Sequence, residues 1–159
     1  MTICELYGTI CPNEFKDVKL DIETIPNIES LNGKSPMTFS VLDADEYNLY
    51  EMSQNKKTFT GTTESIVIYD VEVEDFYNLL LTNDRSTTHD LVMKKLRKYC
   101  SDIPAAYVYI SHMLLHELGH YKQYLDRGKN VYSYINCKRL ISGCIPENVF
   151  RISCWKFGT

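Results

Sequence analysis

The sequence predicts an α+β fold: a small mixed or antiparallel sheet in the N-terminal half, followed by a helical C-terminal half. Three observations carry this. Thr58-Phe59-Thr60-Gly61-Thr62-Thr63 and Ser65-Ile66-Val67-Ile68-Tyr69-Asp70-Val71 form the strongest β signal in the chain, β-branched and aromatic throughout. From residue 74 onward the apolar residues recur at helical spacing instead. The chain has 159 residues, of which 44% are hydrophobic and 24% charged, which fits a single domain over 1–159 with the sheet in 1–73 and the helices in 74–159.

Taken in order, residues 1–36 carry the weakest signals. Val18-Lys19-Leu20-Asp21-Ile22 alternates apolar and polar as a short strand does, and Ile25-Pro26-Asn27 breaks it. Asn32-Gly33-Lys34-Ser35-Pro36 is a turn, after which Thr38-Phe39-Ser40-Val41-Leu42 reads as a strand, resumed at residues 47–52 beyond an acidic interruption. Residues 74–81 form a first C-terminal helix. Ser86-Thr87-Thr88-His89-Asp90 then offers caps for a second through Lys98, with Leu91, Val92, Leu96 and Tyr99 on its inner side. Asp102-Ile103-Pro104 opens a third as an Asp cap followed by a first-turn proline, and Gly128 ends it.

Composition excludes some function classes. Lys and Arg total 17 against 21 Asp and Glu, a net charge of -4, which does not suit a nucleic-acid partner. The dense basic run Lys94-Lys95-Leu96-Arg97-Lys98 reads as a solvated helix face. No stretch has the eighteen apolar residues of a membrane span, and the N-terminus has no signal-peptide pattern, so a cytoplasmic protein with no membrane partner is expected. The six cysteines, Cys4, Cys11, Cys100, Cys137, Cys144 and Cys154, are then expected as thiols. If a secretion signal has been removed, their even number permits disulfides instead.

The third helix carries His116-Glu117-Leu118-Gly119-His120. At i and i+4 the two imidazoles lie one above the other and reach one ion, Zn2+ by preference. Glu117, about 100° further round the helix, reaches a water at that ion without being a ligand. The flanking Ala105-Ala106-Tyr107-Val108-Tyr109-Ile110 and Met113-Leu114-Leu115 are mostly apolar, which predicts a helix buried on most sides. Buried unpaired polar groups cost roughly 1–3 kcal/mol each, and a metal relieves that cost. His112 is expected beside the site rather than in it, and His89 at a surface or cap position. Tyr121 and Tyr124 are alternative oxyanion donors, or packing residues.

A sheet followed by a helix bearing Leu114-Leu115-His116-Glu117-Leu118-Gly119-His120 resembles the zincin metallopeptidases, in the flavour of the short intracellular ImmA/IrrE-like group carried by phages and mobile elements. The match covers residues 104–128, with the Ile66-Val67-Ile68 strand as a weaker companion. The resemblance implies a zinc metallopeptidase acting on an intracellular peptide or protein, with Glu117 as catalytic base and the substrate added as a strand to a sheet edge within Thr58 to Asp70. It equally admits a zincin-fold binding or regulatory module without turnover. A structural zinc site closed by Cys137 or Cys144 is a third possibility.

Catalytic zinc takes three protein ligands. Glu147, in the helix-start pattern Ile145-Pro146-Glu147, is the expected third, although Val149, Phe150 and Arg151 depart from the small residues that typically follow in the ImmA/IrrE-like group. Asp126 is the alternative, six residues after His120 as in metzincins, but with Gln123 where those proteins have the glycine that lets the chain leave the helix.

Overall fold

The computed structural model describes residues 1–42, 63–83 and 87–129. Within them helices and a three-stranded mixed sheet form an α+β arrangement. The expected strand at 47–52, the Thr58 to Thr62 part of the β signal, and the Glu147 helix start lie outside the described residues.

A helix that the sequence did not predict comes first. Helix α1, Ile3–Ile10, starts at a capping box: Thr2 Oγ1 accepts the Glu5 N–H at 3.3 Å and Glu5 carboxylate accepts the Thr2 N–H at 2.8 Å. Its buried residues Ile3, Leu6, Tyr7 and Ile10 share one face at helical spacing. A backbone hydrogen bond of 2.8 Å from Ile3 N–H to the Val71 carbonyl ties its start to the end of the sheet.

The sheet has the order β1-β3-β2, with β1 at Asp21–Glu23, β2 at Met37–Leu42 and β3 at Thr63–Tyr69. Strand β2 runs antiparallel to β3, pairing Phe39 with Ile66 and Met37 with Ile68. Strand β1 is parallel to β3, pairing Ile22 with Ile68, and is displaced from the expected 18–22. The alternation at 18–22 does locate a strand, but pairing with a distant neighbour sets which residues extend. Strand β3 is central, but β1 covers only its Val67–Tyr69 part, and of the segment expected to offer a substrate-binding edge, Thr58 to Asp70, residues 58–62 lie outside the described residues. Among the described residues, β2 is the edge that lies against the long helix.

The helical half follows the predicted order. Helix α2 is Val73–Asn83, with Glu74 and Asp75 in its first turn, where the helix dipole favours anions. Helix α3 is Thr87–Leu96. Its inner face differs from the expected one: Leu91 is 63% and Tyr99 36% exposed, while His89, Met93, Leu96 and Cys100 are buried. These four fall at i, i+4, i+7 and i+11, a stripe that includes a histidine and was hidden by it.

Helix α4, Ala105–Asp126, is packed on by α1, α2, α3 and β2. It starts later than expected. Pro104 is its N-cap, and no side chain caps it. Ile103, just before the proline, is disfavoured in helical conformation, so Asp102 lies too far upstream to serve; its carboxylate instead accepts the Ser101 hydroxyl at 3.2 Å. The Arg97 guanidinium holds this turn through the carbonyls of Cys100, Ser101 and Ile103. At the other end Gly128 has φ +61°, its N–H bonds the Leu125 carbonyl, and Lys129 N–H bonds that of Tyr124. That is a Schellman motif, and it places glycine where a positive φ is required.

Cys100 is disulfide-bonded, which corrects the expectation of six thiols; Cys4 and Cys11 carry no disulfide. Oxidation at Cys100 is the outcome that an even cysteine number permits. Among the described residues no helix is long and apolar enough to cross a membrane.

Candidate metal centre

Helix α4 brings His116 and His120 together as its geometry requires. Their Nε2 atoms stand 2.9 Å apart, and the rings meet edge to face with centroids 4.5 Å apart. His120 is buried, while His116 and Glu117 are half-buried. Ligand atoms of His116, Glu117 and His120 all lie within 4.8 Å of one another. Two nitrogens each about 2.05 Å from a tetrahedral zinc are about 3.3 Å apart, so a small opening of the pair accommodates the ion.

The sheet orients the glutamate. The Phe39 N–H donates to Glu117 Oε2 at 2.9 Å. In an antiparallel pair alternate residues point their amides away from the partner strand, and Phe39 is one of these on β2. Its ring is buried against Tyr121 and Tyr124, at centroid distances of 5.3 and 5.6 Å. The same residue therefore anchors β2 to α4 by packing and holds the carboxylate by its backbone. The tyrosines now separate: Tyr124 is fully buried, whereas half-buried Tyr121 lines a cleft of about 450 Å³ together with Phe39, Ile66 and Glu64.

A second partner fixes His120. Its Nδ1 lies 3.3 Å from Gln123 Oε1, one turn further along α4. His112 sits one turn before His116, ring centroids 6.4 Å apart. Burial, and secondarily the neighbouring His116, pull its pKa down to about 4, so it is a neutral imidazole at neutral pH.

His89 is not at the surface. It is buried, bonded through Nε2 to Tyr77 Oη at 2.9 Å and through Nδ1 to Asp90 Oδ1 at 3.0 Å. Its ring packs against Tyr109 at a tilt of 57° with centroids 4.6 Å apart, and Tyr109 lies 6.3 Å from His112. The three histidines of α4 thus stand in one file, which Tyr109 extends to His89 on α3. The signal for His89 was present as its place in the α3 stripe.

Of the proposed third ligands, Asp126 is exposed and lies 3.6 Å from Lys122 Nζ, outside the His116, Glu117 and His120 group. Glu147 lies outside the described residues.

No known family, curated protein or solved structure matches the chain. A paired-imidazole group with an adjacent carboxylate is able to hold a metal ion.

Proposed function

We propose that the protein is a zinc-dependent hydrolase of peptide bonds, with His116 and His120 as ligands and Glu117 as general base. The observation that carries this is the convergence of two imidazole Nε2 atoms, 2.9 Å apart, beside a carboxylate held by a backbone amide. Glu147 completes the ligand set, with Asp126 as the alternative; the exposed pairing of Asp126 with Lys122 favours Glu147.

Zinc in such a site supplies Lewis acidity and brings the pKa of water to about 7. Phe39 holds one oxygen of Glu117. The other takes the proton of the attacking water and delivers it to the amine nitrogen as the peptide C–N bond breaks. An extended substrate adds as a strand to a sheet edge within Thr58 to Asp70, as the resemblance implies. The resemblance to the ImmA/IrrE-like group favours an intracellular protein as that substrate.

Glu117→Gln is expected to lower turnover of a peptide substrate by about 10²–10⁴-fold with zinc content unchanged. Undiminished turnover at full zinc content refutes the assignment of the base. The second reading is a zincin-fold binding or regulatory module that holds the metal without turnover. Cleavage that a chelator abolishes and added zinc restores rules this second reading out.

A further inference from the structure

We infer, resting on the zinc site proposed above, that Gln123 is a positioning residue for the metal centre: its amide oxygen holds the Nδ1 proton of His120 and thereby aims the His120 Nε2 lone pair at the ion. Oε1 of Gln123 is an acceptor only, so its 3.3 Å contact requires the hydrogen to sit on His120 Nδ1. A neutral imidazole protonated there carries its lone pair on Nε2, the atom that faces His116. His116 must then be the donor in the 2.9 Å contact between the two Nε2 atoms.

The two histidines are therefore not equivalent before metal arrives. Gln123 thus presets His120 in the ligating tautomer before the ion binds. The helix makes this possible. Gln123 stands one turn after His120 on an α4 that continues to Asp126, so its side chain reaches back to the ring instead of giving way to a chain reversal. Such partners of metal-bound histidines typically change metal affinity 10–100-fold.

The test uses the full chain, zinc competition against a chromophoric chelator, and ¹⁵N NMR of the imidazole nitrogens without zinc. Wild type is expected to show His120 protonated on Nδ1. Gln123→Leu is expected to weaken zinc binding 10–100-fold and to shift the His120 proton toward Nε2, with an unchanged melting temperature in the zinc-free state. Gln123→Glu, which supplies a carboxylate acceptor, should match or exceed wild-type affinity. Equal affinity in Gln123→Leu and wild type overturns the inference, as does a wild-type His120 protonated on Nε2. Absence of zinc binding by wild type overturns the metal centre as well, and is distinguishable because the tautomer is read without metal.

Discussion

A single side chain near the start of the chain shows how burial and one neighbouring carboxylate set reactivity. Cys4 is partly buried on α1, and burial together with the nearby Asp70 carboxylate pushes its thiol up to about 12 from an ordinary 9. The thiolate is the nucleophile, so at pH 8 native Cys4 is expected to resist iodoacetamide and to be labelled only on unfolding. Rapid labelling of the native protein, located by peptide mapping, contradicts this environment. The sign of the linked stability follows. The folded state keeps the proton between pH 9 and 12 while the unfolded chain loses it, so this contribution is complete below pH 9 and is lost as pH rises through 12. At this scale the sequence was most legible where spacing alone determines geometry. His116, Glu117 and His120 converge because i, i+1 and i+4 on any helix do so. His89 was legible only as a place in the α3 stripe, because its partners Tyr77 and Tyr109 come from two other helices.

At the level of elements, legibility followed length. Helix α4, at 22 residues, and the β-branched strand β3 carry enough periodic signal to be read locally. Strand β1 is three exposed residues, defined by its parallel register with β3. Helix α1 is eight residues, too short to be stable alone, and depends on its cap and on packing against α4. Thr2 followed by Glu5 was nevertheless a readable capping box ahead of the apolar stripe Ile3, Leu6, Tyr7 and Ile10. Removing the acceptor in Thr2→Ala is expected to cost about 1 kcal/mol of unfolding free energy. Glu5→Gln, which preserves the motif, should cost less. Because α1 reaches α4 through its apolar face and contributes nothing to the His116, Glu117 and His120 group, zinc affinity should be the same in both variants. A denaturant midpoint in Thr2→Ala equal to wild type would mean that packing alone holds this helix.

For the whole molecule, the decisive feature is that one helix is both scaffold and site. Helix α4 is the element on which α1, α2, α3 and β2 all pack, and it also presents both imidazoles; β2 meets it through the Phe39 ring and through the amide that holds Glu117. A ligand of the two histidines therefore binds the folded chain selectively, since unfolding separates Glu117 from Phe39 and removes the helix that aligns the rings. Binding to the native state alone stabilises it by about 2.7 kcal/mol at a free ligand concentration 100 times Kd. For a chain of this length that corresponds to a rise in melting temperature of about 5–10 °C. Zinc is expected to produce such a rise in wild type and in Glu117→Gln, because the glutamate is proposed as a base rather than a ligand. It should produce little in His116→Ala or His120→Ala. If the Glu117→Gln variant loses the rise as the histidine variants do, Glu117 is a ligand, and the pair of imidazoles with an adjacent carboxylate is a structural metal site rather than a hydrolytic one.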